Sequence, residues 1–183
     1  MKKIYFVRHC TADGQHKDSP LTTIGMRQAH LLSVFFSEQQ TKIDKIISSP
    51  YLRAIESIKP YAEKENIEIE INDRLKERIL SEDPIDDWME VLEHSFNDHH
   101  YSLPGGESAN DAILRATPIL ESIYHDENIN NVILVSHGNL LALLIHQFDK
   151  NFGFDQWKEL NNPDVYLINY EKNNTSIKCL WNT

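Results

Sequence analysis

Two short, continuously apolar runs most constrain the fold: Ile4-Tyr5-Phe6-Val7 and Val132-Ile133-Leu134-Val135. A run of this length with no polar alternation reads as a strand covered on both faces, which calls for helices above and below a sheet. Each run ends abruptly in reactive residues: Arg8-His9-Cys10 after the first, Ser136-His137-Gly138 after the second. Three explanations compete for the first tip: a metal site, a thiol nucleophile, or a histidine doing chemistry beside an arginine.

Between the two runs, helix-type and strand-type segments alternate. Residues 21–36 place Ala29, Leu32, Phe35 and Phe36 at helical spacing, with Thr22 or Thr23 as N-cap. "DKIISSP" reads as a strand stopped by Ser48-Ser49-Pro50, and residues 51–66 as a helix that Pro60 should kink or divide. "IEIEI", residues 67–71, alternates as a third strand. Residues 73–103 are charged and weakly periodic. They are expected to form helices and loop over one end of the sheet. Ser108, with Asp111 three residues on, should open a helix running to about 127, bent at Pro118. "LLALLIHQF" continues the second strand-tip as a buried helix, and the last segment closes as a hairpin turning at Asn173-Asn174.

The expected fold is therefore α/β: a three-layer sandwich with a mostly parallel central sheet, an antiparallel edge and helices on both faces. The 183 residues suit a single domain over 1–183, with an excursion at about 73–127 lying over the active site. The net charge of −10 argues against nucleic acid or an anionic membrane as partner. No apolar run is long enough for a membrane span or a secretory leader, and the two cysteines, Cys10 and Cys179, form no disulfide framework or zinc ribbon. A soluble cytoplasmic protein is expected.

In open α/β sheets, ligands bind beyond the carboxyl ends of the strands. Parallel strands would bring Arg8 and His9, Ser48 and Ser49 with Arg53 a turn later, Arg74, Glu77 and Arg78, and His137 to one rim. Two histidines among arginines suit a phosphoryl group better than a metal ion, because guanidinium forks match phosphate oxygens and repel divalent cations. No metal is expected.

This constellation resembles the histidine phosphatase superfamily, the phosphoglycerate mutase-like family. "VRHC" stands where that family has Arg-His-Gly, "SPLTTIG" matches its Pro-Leu-Thr-x-x-Gly turn, and "ISSPYLRAIES" its Ser-Ser-Pro-x-x-Arg-Ala block. "RLKER", "PGGES" and "VILVSHGN" match three further blocks in the same order. The resemblance implies that His9 is the nucleophile that becomes phosphohistidine. It implies that Arg8, Arg53 and His137 bind the phosphoryl oxygens and that Glu77 is the general acid and then base. Gly138 and Asn139 are expected beside the substrate, with the Asn139 amide facing phosphate from a helix start. The neighbouring guanidiniums should keep His9 neutral.

The implied activity is hydrolysis of a small phosphomonoester without metal or organic cofactor. The alternatives are a phosphoglycerate mutase-type isomerase and a non-catalytic phosphate-binding module. Cys10, where the family usually has glycine, is a tolerated small residue, a redox brake, or a nucleophile. Arg78 points into the site or forms an exposed ion pair. His94, His99 and His100 fit no metal-ligand spacing.

Overall fold

The computed structural model describes residues 1–171 and 175–181. In chain order it contains β1 (Lys2–Arg8), α1 (Thr23–Glu38), β2 (Lys45–Ser48), α2 (Leu52–Glu65), β3 (Ile69–Ile71) and a single 3-10 turn (Asp73–Leu75). Then follow α3 (Trp88–Asn97), α4 (Ala109–His125), β4 (Asn131–Ser136), α5 (Gly138–His146), α6 (Phe154–Lys158), β5 (Asp164–Tyr170) and β6 (Ser176–Cys179). The sheet order is β3-β2-β4-β1-β5-β6. The first four strands run parallel, and β5 and β6 are antiparallel additions at one edge.

Successive side chains on a strand point to opposite faces, so the continuous apolar runs feed two cores at once. Ile4, Phe6, Val132 and Leu134 pack with Ala112, Ala116 and Ile119 of α4 and with Leu140 to Ile145 of α5. Tyr5, Val7, Ile133 and Val135 pack on the other face, against Ala29, Leu32 and Phe36 of α1 and Ala54, Ile58 and Tyr61 of α2. The result is the three-layer α/β sandwich expected from the sequence.

Local signals fix the start of two helices. Thr22 caps α1 by accepting from the Gly25 amide, and Ser108 with Asp111 forms a reciprocal capping box at α4. Two expectations shift. The third strand covers only Ile69–Ile71, because it lies at the sheet edge with β2 as its single partner; its Glu70 pairs with Lys45 at 2.6 Å. Pro60 does not divide α2, which runs on to Glu65 because Ser57, Ile58, Tyr61 and Ala62 are buried on either side of it. The short helix α6 was not foreseen. The expected turn at Asn173-Asn174 lies outside the described residues. Among these residues no helix is long and apolar enough to cross a membrane.

What matters for function is the middle of the sheet. Strands β2, β4 and β1 are neighbours and parallel, so their carboxyl ends open onto one rim. The ladder runs one residue past each strand: the His9 amide donates to Ser136 O at 3.1 Å, and the Ser49 amide to Val135 O at 2.9 Å. This register places His9, Ser49 and His137 side by side.

Candidate active site

His9 follows the last residue of β1 and is 7% exposed. Its Nδ1 lies 2.7 Å from the Cys10 carbonyl oxygen. A carbonyl only accepts, so Nδ1 carries the proton and Nε2 keeps the lone pair. Arg53 confirms the assignment from the other side by donating Nε–H to that Nε2 at 3.2 Å. The His9 pKa is lowered to about 3, first by burial and then by Arg53 and Arg8, while the bond to Cys10 O works against the shift. The guanidiniums do act in the direction expected of them, but burial is the larger cause.

Arg53 sits in the first turn of α2 and is 1% exposed. Its Nη1 donates to Gln15 O at 3.1 Å and His16 O at 2.9 Å, tying the loop after β1 to this helix. Ser57, one turn on, donates to Arg53 O at 2.6 Å and accepts from the Cys10 amide at 2.8 Å. The helix thus fixes both the residue that touches His9 and the backbone that sets its tautomer.

Arg8 enters from the tip of β1. Its Nη1 donates to Leu160 O at 2.6 Å and Asn161 O at 3.3 Å, and its buried Nε has no partner among the described residues. Gly138 makes this placement possible: a Cβ there would lie 3.0 Å from Arg8 Nε and 3.1 Å from Cζ. Gly138 therefore serves the site by admitting the Arg8 guanidinium.

His137, the residue before α5, is 1% exposed. Its ring centroid is 5.1 Å from that of His9 and 4.9 Å from that of Tyr51. Its Nε2 is 2.8 Å from Ser49 Oγ, and its Nδ1 is buried with no partner among the described residues. Burial pushes its pKa well below the ordinary value, with His9, Arg53 and Arg8 adding to the effect.

Glu77 lies on the amino end of α5. Its carboxylate accepts from the Asn139 amide at 3.0 Å, the Leu140 amide at 2.9 Å and the Arg78 amide at 2.8 Å. The Asn139 amide, expected to face phosphate, is thus engaged by Glu77, because a carboxylate competes well for the free donors of a helix start. Burial lowers the pKa of both Arg8 and Arg53, and Glu77 is close enough to each to oppose that shift.

Several neighbours settle differently from the sequence reading. Arg78 is buried and donates to Glu107 O at 3.0 Å and Ser95 Oγ at 2.9 Å. Being buried, it is no exposed ion pair; it clamps the segment after Glu77 to α3 and to the turn before α4. Cys10 is fully buried in the core on the α1–α2 face, and burial lifts its thiol to about 11, so it is a poor nucleophile. Among the described residues no three His, Cys, Asp or Glu side chains are grouped to hold a metal ion.

Three contributors went unread in the sequence. Ser49 is expected at the rim as a strand stop, but with no contact to His137. Asn162 donates Nδ2–H to His9 O at 2.7 Å. Asp164 pairs with Arg8 across the β1–β5 ladder and accepts from the Asn161 amide at 3.1 Å, holding the loop whose carbonyls grip Arg8. No local pattern announces either residue, since both act through an antiparallel register set more than 150 residues from β1.

A sheet rim with two neutral histidines, two guanidiniums and one carboxylate defines an α/β enzyme built for phosphoryl chemistry. The chain belongs to the histidine phosphatase superfamily (branch 1), whose model matches residues 4–183, and so to the phosphoric monoester hydrolases. Two curated relatives are informative. A Hydrogenobacter thermophilus protein named "Putative phosphoserine phosphatase 2" is 28% identical over 79% of this chain and 77% of its own length. A Yersinia pestis protein named "Probable phosphoglycerate mutase GpmB" is 31% identical over 79% of this chain and 74% of its own. Among solved structures, a mycobacterial glucosyl-3-phosphoglycerate phosphatase in complex with inorganic phosphate superposes with a TM-score of 0.75. It is 22% identical, covering 100% of this chain and 98% of that one, and so shares the fold.

Proposed function

We propose that this protein is a metal-independent phosphatase that hydrolyses a small phosphomonoester through a phosphohistidine at His9. The observation that carries this reading is the state of His9: neutral, with Nδ1–H spent on Cys10 O and the Nε2 lone pair facing Arg53. In the first step Nε2 attacks phosphorus, the ester P–O bond breaks, and Glu77 gives a proton to the leaving oxygen. Arg8, Arg53 and His137 hold the three non-bridging oxygens while charge redistributes over them. In the second step water attacks the phosphohistidine and yields its proton to Glu77; the P–N bond breaks and inorganic phosphate leaves. The guanidiniums supply the positive charge that a metal would otherwise bring.

The whole chain is inferred to act as one domain, with the segment of about 73–127 shaping the approach to the rim. The resemblance to a protein named as a mutase supports one alternative, isomerisation by the same nucleophile with a bisphosphorylated activator. The test is hydrolysis of p-nitrophenyl phosphate with chelator present, for wild type and His9→Ala. Turnover that survives chelation and falls at least about a thousandfold in His9→Ala is expected. Turnover that persists in His9→Ala refutes the assignment of the nucleophile. Failure of folded wild type to hydrolyse any phosphomonoester, with interconversion of phosphoglycerates, transfers the reading to the mutase.

A further inference from the structure

The second histidine of the site has its own hydrogen-bond accounting, and Ser49 decides it. Ser49 Oγ accepts from the Tyr51 amide at 3.2 Å and lies 2.8 Å from His137 Nε2. Both groups are buried, with Ser49 fully so. The Ser49 carbonyl is occupied by the Ser48 hydroxyl at 3.0 Å, which leaves His137 Nε2 as the one acceptor found for the Ser49 hydroxyl proton among the described residues. If Nε2 instead carried the imidazole proton, the Ser49 hydroxyl proton would have no acceptor there. His137 Nδ1 would then be a buried lone pair facing an anion. If Nε2 accepts, every group around Ser49 is satisfied, and the one orphan is an Nδ1–H donor that an anion would satisfy.

We infer that Ser49 fixes His137 as the neutral tautomer protonated on Nδ1, and that this N–H is the donor His137 presents to the phosphoryl group. Ser49 is a positioning residue: it acts through His137 and does not touch substrate. The inference deepens the phosphatase reading and rests on it for the identity of the anion. Burial independently keeps the ring neutral, so the hydroxyl has a lone pair to bind. A neutral donor adds a hydrogen bond beside His9 without adding a third cation, which would favour the anion but oppose the proton-free state of its neighbour.

The arrangement mirrors that of His9 with the roles of the two ring nitrogens exchanged. His9 spends Nδ1–H on a backbone carbonyl and acts through Nε2, whereas His137 spends the Nε2 lone pair on a hydroxyl and acts through Nδ1–H. Residues from adjacent strand ends, β2 and β4, make the second lock, as Cys10 next in the chain makes the first.

The test is long-range proton–nitrogen NMR on nitrogen-15-labelled wild type near neutral pH, with the His137 signals identified by their loss in His137→Asn. Protonation on Nδ1 with an unprotonated Nε2 is expected. Protonation on Nε2 overturns the inference, and the tautomer itself is read on the wild type. In Ser49→Ala the Nε2-protonated form should appear, and KM for p-nitrophenyl phosphate should rise about tenfold, the worth of roughly one charge-assisted hydrogen bond. Ser49→Thr, which keeps the hydroxyl, should restore both the tautomer and KM; a Ser49→Ala protein that keeps the Nδ1-protonated form also overturns the inference. The two readings fail separately. An Nδ1-protonated His137 in a protein without phosphatase turnover leaves the tautomer lock standing, and an Nε2-protonated His137 in an active phosphatase removes it alone.

Discussion

Replacing Gly138 with alanine should separate activity from stability, and the structure gives the size of each effect. The new Cβ would meet Arg8 at 3.0 Å from Nε, 3.1 Å from Cζ and 3.2 Å from Nη2, all inside ordinary van der Waals contact. The guanidinium must therefore retreat by roughly half an ångström to restore normal packing. It cannot turn away freely, because Nη1 is held by Leu160 O at 2.6 Å. A misplacement of about 1 Å costs on the order of a hundredfold in a positioned reaction, so roughly half of that should cost about tenfold in kcat/KM. Stability should move little or rise. Gly138 is the first residue of α5 with no left-handed backbone to accommodate, and alanine is favoured over glycine in helix by about 0.5–1 kcal/mol. The assay is p-nitrophenyl phosphate hydrolysis beside urea denaturation of the same preparation. Unchanged kcat/KM would show that the Arg8 guanidinium has no fixed place in the reaction. A parallel loss of stability, above about 2 kcal/mol, would show that the contact is a packing clash and not a displacement of one prong.

Two further outcomes follow from burial. His9 has a folded-state pKa of about 3 against an ordinary value of 6.5, so the unfolded chain binds the extra proton between those values and stability must fall as pH drops through that window. The slope from this one residue approaches about 1.4 kcal/mol per pH unit, and urea midpoints from pH 6.5 down to pH 4.5 should decline more steeply for wild type than for His9→Ala; equal slopes would refute a buried neutral His9. Cys10 is fully buried with its thiol raised to about 11, whereas Cys179 is exposed, so a thiol reagent at pH 8 should titrate one group in the folded protein and two in urea. Loss of turnover on modification of the folded enzyme, abolished by Cys10→Ala, would reinstate the redox brake.

The strand tips were readable because continuous apolar runs have one good interpretation, and because parallel strands bring their carboxyl ends together without further information. That is enough to gather His9, Arg53 and His137. It is not enough to say which nitrogen of each histidine carries the proton, since that depends on Cys10 O in one case and Ser49 Oγ in the other, at 2.7 and 2.8 Å. Nor could spacing show that Glu77 takes the Asn139 amide, which requires the turn after β3 to meet the start of α5. The antiparallel edge hid the most. Asn162 looks like an ordinary loop residue and Asp164 like the first residue of a closing hairpin until β5 pairs with β1 and sets Arg8 opposite Asp164.

That pairing decides which edge of the Arg8 guanidinium is free for the phosphoryl group proposed to bind here. A guanidinium offers two edges to a planar anion pair, and an unrestrained side chain would sample both. Here the loop before β5 takes Nη1 with two carbonyls, and the same loop reaches back through Asn162 to His9 O. One strand tip is thus held by one loop at two consecutive residues. The edge left over, Nε with Nη2, is the one that lies against Gly138, where a side chain would intrude. The antiparallel addition to the sheet fixes the orientation of Arg8, the glycine of the neighbouring parallel strand tip leaves room for it, and the unpartnered Nε is the donor that results. Loss of the loop's grip should therefore damage the site even though every residue matched to the family's motifs remains in place.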